Sequence, residues 1–204
     1  MKRFAYLLIV IGLIMMMYPK AKSMYYSYQE QKMLSEWEAS VDPVVKQSFQ
    51  QLDDVFLEES SPEPNKTLNK GVIGKLSIQK IGLVIPIVEG ASLKNMKTAA
   101  GHLRGTAPIG EIGNAAIAAH RSYTYGKQFN RLMEVKKGDL IQITTSKKVL
   151  TYSITEEKLV KPSNLSILHD DKKESKITLI TCHPMKNPTH RFIVKAVLKK
   201  EEVL

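Results

Sequence analysis

Three hydrophobic patterns follow one another along the chain. The first is an unbroken apolar run over residues 4–18, FAYLLIVIGLIMMMY, with Lys2 and Arg3 before it and Pro19, Lys20 and Lys22 after it. Its length is just short of the ~17–25 residues of a spanning helix and at the top of the range for a signal-peptide core. Ala21-Lys22-Ser23 has the small-x-small form of a cleavage site, but the bulky residues ahead of it and the lysine at its centre favour an uncleaved anchor. Basic residues flank both sides equally, so only the amino terminus itself tips the orientation, toward an amino terminus inside.

The second pattern is helical. Asp42-Pro43 offers an N-cap followed by proline at the first helical position. Val45, Phe49, Leu52 and Phe56 then recur at close to helical spacing, an apolar stripe with Lys46, Gln50, Asp53 and Asp54 off it. With Leu34 and Trp37 in a preceding segment, this predicts a stalk that packs on the following domain; a partner-binding helix is the alternative. Residues 60–70, SSPEPNKTLNK, read as a linker and domain boundary.

The third pattern begins after Gly71: short β-rich runs at 72–81, 83–88, 115–120, 140–145, 149–155, 177–183 and 191–199, separated by turn residues. Such spacing predicts a sandwich or barrel. One short helix is expected over 128–135, ahead of the Lys137-Gly138-Asp139 turn. The predicted organisation is an anchor with its flanks at 1–23, a helical stalk and linker at 24–70, and a mostly β domain at 71–204.

Charge changes this picture little. The chain carries 30 Lys and Arg against 20 Asp and Glu, a net +10, but the basic residues are scattered as singles and pairs such as Lys136-Lys137 and Lys147-Lys148. Without a basic recognition helix or an aromatic ladder, nucleic acid is not an expected partner. Neither a P-loop nor a GxGxxG occurs, so no nucleotide cofactor is expected. Asp170, Asp171 and Glu174 are diluted by Lys172, Lys173 and Lys176 and read as a solvated loop.

The single cysteine, Cys182, cannot form an internal disulfide and is either a small buried hydrophobe or a reagent. Its surroundings decide. Residues 177–183, ITLITCH, and the run opening His190-Arg191-Phe192 flank a polar turn of six residues with two prolines. A hairpin closed by that turn pairs His183 with His190 and Cys182 with Arg191, so a guanidinium lies beside the thiol on one face. A cation favours the thiolate, and arginine can hold a developing oxyanion. A slip of one residue would separate the two.

A cysteine nucleophile also needs an imidazole. His183 points to the other face from Cys182, His190 shares that face, and His169 falls in the polar stretch HDDK. His102, between glycines, and His120, at the end of the apolar run Ala115 to Ala119, remain; His120 is favoured because a buried strand would present it at a rim. Zinc ligation by Cys182, His183 and His190 is disfavoured because alternation splits them between faces, so no metal is expected.

TLITC at residues 178–182, an arginine nine positions on in the following strand, and an upstream strand ending in His120 together resemble the sortase family. The resemblance covers 71–204, with GKLSI at 74–78 and LVIPIVEG at 83–90 similar to the first two strands of that barrel and Gly101-His102 similar to the segment before the histidine strand. It implies an eight-stranded β-barrel outside the cell on a single-pass type II anchor, in a Gram-positive-like envelope. It also implies a catalytic set of Cys182, His120 and Arg191 that needs no cofactor. The implied partners are surface proteins with an LPxTG- or LPNTA-like sorting signal and an amine acceptor such as a cell-wall precursor. Lacking an Asp-Pro-aromatic lid near the barrel start, the chain is most similar to class D. Ala119 stands where many relatives have glycine, and Arg121 follows His120.

Overall fold

The computed structural model describes Tyr18, Gln47, Gln50, Leu52, Phe56 and residues 71–96 and 98–204. The chain divides into two compact units, Met1–Val41 and Asp42–Leu204. Of the first only Tyr18 is described, helical and exposed, so the apolar run expected as an anchor otherwise lies outside the described residues. Among the described residues no helix is long and apolar enough to cross a membrane.

The second unit holds a closed barrel of eight strands: β1 (Val72–Ile78), β2 (Leu83–Glu89), β3 (Ala100–His102), β4 (Gly113–Ala118), β5 (Leu140–Thr144), β6 (Lys148–Val160), β7 (Ser175–His183) and β8 (His190–Val203). Around the barrel the order is β1-β2-β3-β4-β7-β8-β6-β5, and β5 pairs back onto β1. Two seams are parallel, β2 with β3 and β4 with β7; the others are antiparallel.

Period-two patterning explains the outer strands. Leu76 and Ile78 of β1, Ile85 and Ile87 of β2, and Ile141 and Ile143 of β5 are buried, whereas Lys75, Val84 and Gln142, one position off that set, are exposed. β4, β7 and the first half of β8 differ, being buried on both faces. Ala115, Ile117, Ile177, Leu179, Phe192 and Val194 belong to the barrel core. The alternate set, including Ala118, Ile180, Cys182 and Ile193, is buried as well but by alternation faces the outside of the barrel. The β4–β7 seam is reinforced by a buried polar link: Thr178 Oγ1 donates to Asn114 Oδ1 at 2.7 Å, and Asn114 Nδ2 donates to the Ile167 carbonyl at 3.1 Å.

The structure departs from the sequence expectation in several elements. β3 has only three residues and had no run of its own. Its place depends on Gly101, where a Cβ would lie 2.5 Å from the Ala91 Cα, so only glycine lets the β2–β3 connection fold this closely. The helix expected over 128–135 is a single 3₁₀ turn, Leu132–Glu134. β6 and β8 extend each other far past their expected ends, because each supplies the other's ladder bonds out to Val160 and Val203. Of the predicted apolar stripe, Leu52 and Phe56 are helical and buried while Gln50 is exposed. Val45 and Phe49 lie outside the described residues.

Candidate active site

The β7–β8 hairpin has the register expected from its sequence: Cys182 is opposite Arg191, and His183 is opposite His190. Directly opposed residues project from one face, and Arg191 Nη1 reaches Cys182 Sγ at 3.9 Å. The same nitrogen donates to the His190 carbonyl at 3.3 Å. Cys182 is 5% exposed and Arg191 only 2%, so the guanidinium acts on the sulfur through little solvent.

His120 stands two residues beyond the end of β4, where Ala119 N still donates to the Ile180 carbonyl at 3.2 Å and the His120 carbonyl accepts from Phe129 N at 3.0 Å. Its backbone is therefore held on both sides. Its Nε2 is buried with no hydrogen-bond partner among the described residues. Burial holds its pKa below the usual histidine value, which keeps the imidazole neutral near pH 7 and able to accept a proton.

One aromatic ring bridges the two halves of the site. The Phe56 and His120 rings meet edge to face, their centres 5.6 Å apart at an interplanar angle of 75°, and the Arg191 guanidinium carbon lies 4.9 Å from the centre of the Phe56 ring. Phe56 thus lies against both His120 and Arg191, the latter facing Cys182. This contact was not foreseen. Phe56 stood in the predicted stripe, but nothing in a periodic pattern says which surface the stripe will meet.

The other histidines are engaged elsewhere. His102, left open by the sequence, has Nδ1 at 2.9 Å from Glu89 Oε2 and Nε2 at 2.9 Å from the Ala107 carbonyl, so neither ring nitrogen is free for proton transfer. His169 is exposed, and His190 Nδ1 is within 2.9 Å of Thr189 Oγ1. His183 Nδ1 accepts from Arg121 Nη1 at 2.9 Å. Among the described residues there is no cluster of three or more histidine, cysteine or acidic side chains placed to hold a metal.

A thiol with an arginine at its side and a neutral imidazole nearby is suited to acyl transfer: the arginine favours charge on sulfur or on an oxyanion, and the imidazole carries protons. Comparison with known proteins agrees with this chemistry. The sortase domain model matches residues 76–199. Sortase A of Bacillus anthracis is 29% identical over 198 residues, covering 93% of this chain and 90% of that protein. Sortase D of Bacillus subtilis is 30% identical over 124 residues, covering 59% of this chain and 61% of that protein. Among solved structures, sortase A of Listeria monocytogenes superposes with a TM-score of 0.63 at 29% identity, covering 66% of this chain and 92% of its own. Sortase E1 of Streptomyces coelicolor, solved with a tripeptide in its active site, gives 0.58 at 30% identity, covering 65% of this chain and 91% of its own. With the domain match spanning nearly the whole barrel and more than half of the sequence, this chain belongs to the sortase family.

Proposed function

We propose that the chain is a membrane-anchored cysteine transpeptidase that cuts an LPxT-type sorting signal after its threonine and joins the upstream protein to an amine. The observation that carries this reading is the facing pair of Cys182 and Arg191, with Nη1 3.9 Å from Sγ, beside a His120 that burial keeps neutral. His120 takes the thiol proton, and the Cys182 thiolate attacks the threonine carbonyl. Arg191 holds the oxyanion. As the C–N bond breaks, His120 returns its proton to the leaving amine, which leaves a thioester on Cys182. The incoming amine attacks that thioester, gives its extra proton to His120 and expels the thiolate. Atoms and charges balance over the two acyl transfers, and no cofactor is called for.

The domain organisation belongs to the same proposal: residues 1–23 anchor the chain as a single-pass type II protein, residues 24–70 form the stalk, and residues 71–204 act outside the membrane. The sequence likeness to Sortase D of Bacillus subtilis supports the class D assignment. The natural partners are then surface proteins with LPxTG- or LPNTA-like signals and an acceptor such as a cell-wall precursor. To test the activity, the full chain in detergent is mixed with LPxTG and LPNTA peptides and an amine acceptor, beside a Cys182→Ala control, and products are read by mass spectrometry. A ligated product that disappears with Cys182→Ala is the expected result. Cleavage without ligation would make the chain a hydrolytic cysteine protease. No turnover together with an unreactive Cys182 would leave a non-enzymatic binding barrel.

A further inference from the structure

The ladder between β4 and β7 runs in parallel register up to Ala118 opposite Ile180, an offset of sixty-two residues. Past that point β4 has ended, yet the same offset continues through side chains. Thr181 Oγ1 donates to the Ala119 carbonyl at 2.9 Å, Arg121 Nη1 donates to His183 Nδ1 at 2.9 Å, and Tyr123 Oη donates to the Met185 carbonyl at 3.3 Å, each pair sixty-two residues apart. His120 and Cys182 stand at that same offset, between the first two of these bonds. The bonds on either side, from Thr181 to Ala119 and from Arg121 to His183, therefore bracket the alignment of histidine and cysteine.

We propose that Arg121 and His183 are a positioning pair that fixes the register of His120 against Cys182. The proposal rests on the reading of those two residues as base and nucleophile. Arg121 has only donors, so His183 must accept at Nδ1 and carry its own proton on Nε2. Arg121 Nε is buried without a hydrogen-bond partner among the described residues, a cost that the charge-assisted bond from Nη1 to His183 helps to offset. Loss of the bond frees the chain after His120 to drift by a fraction of an ångström to an ångström. Such misplacement of a catalytic group lowers turnover by up to about 100-fold.

The test compares Arg121→Ala, His183→Leu, His183→Asn and the double variant Arg121→Ala/His183→Leu in the full chain. Asparagine places Oδ1 where histidine has Nδ1 and keeps the acceptor, whereas leucine fills the space without it. Arg121→Ala and His183→Leu are each expected to lower kcat by 10-fold or more with KM within about twofold, the double variant to be no worse than either, and His183→Asn to retain most of the wild-type kcat. Thermal melts identify any variant that has lost its fold. Additive losses, a loss confined to KM, or equal behaviour of His183→Asn and His183→Leu would overturn the pair. Alkylation of Cys182 by iodoacetamide needs no peptide and separates this idea from the transpeptidase reading. Arg121→Ala and His183→Leu should slow it as His120→Ala does, even if no sorting peptide is turned over. Wild-type alkylation rates in both would dismiss the positioning role.

Discussion

At the scale of single residues, the site depends on what a guanidinium does that an ammonium cannot. Arg191 is buried against Cys182 and the Phe56 ring, and its planar fork lets one nitrogen face the sulfur and the His190 carbonyl while the plane lies over the aromatic face. Lysine keeps the charge but loses the fork and the stacking. Arg191→Ala is expected to lower kcat by about 100- to 1000-fold, as for removal of one oxyanion donor, and Arg191→Lys to fall between it and the wild type. Steady-state kinetics on a sorting peptide, with thermal melts alongside, check this. An alanine variant that is folded and retains full kcat would remove Arg191 from the chemistry. The Cys182–Arg191 pair was legible in the sequence because a short turn between two β-rich runs fixes the register by counting. His120 was favoured over His102 from its place at the end of an apolar run, and the structure adds that both His102 nitrogens are already engaged.

At the scale of elements, the helix bearing Phe56 does two things of opposite sign. It buries an aromatic ring, which stabilises the unit, and it places that ring between His120 and Arg191, over the two groups the proposed reaction needs. Phe56→Ala should therefore cost stability, by about 3 kcal/mol for a fully lost aromatic contact, while making Cys182 several-fold faster to alkylate and lowering the KM for peptide. Urea melts and iodoacetamide kinetics on the same preparations read the two effects separately. A less stable variant with unchanged alkylation would reduce Phe56 to packing alone. The strands themselves were largely legible because β-rich runs punctuated by turn residues are local signals. β3 was not, since three residues carry no period and their position follows from the close approach at Gly101. The expected helix near Leu132 failed for a related reason: its apolar residues Phe129, Leu132 and Val135 are buried in the barrel core from a tight turn, which a helical period imitates over so short a stretch. Phe56 was visible as apolar, but its target is a tertiary fact.

For the whole molecule, protonation couples the site to the stability of the barrel. Burial lowers the pKa of His120, and burial together with the charges of Arg121 and His190 lowers that of His183. In the unfolded chain both titrate near the ordinary value of about 6.5. Below that value the unfolded chain binds more protons than the native one, so stability rises with pH through this window. The stabilisation is complete above about pH 6.5 and is lost as pH falls through the lowered native values. Ion-paired carboxylates contribute in the same direction but further down: Arg131 lowers Glu134, Lys80 lowers Asp139 and Lys176 lowers Asp171, all from carboxylate values that titrate below about pH 5. The range from pH 5 to 7 therefore isolates the histidines. Urea midpoints should be level from pH 7 to 8 and decline from pH 6.5 to 5, with the decline shallower in His120→Gln and shallower again when His183→Asn is added. An unchanged slope in the double variant would assign the acid sensitivity to groups outside the site. A shallower slope would mean that the fold bears a cost for keeping two neutral imidazoles at the end of the β4–β7 seam, one able to take the thiol proton and one able to accept from Arg121.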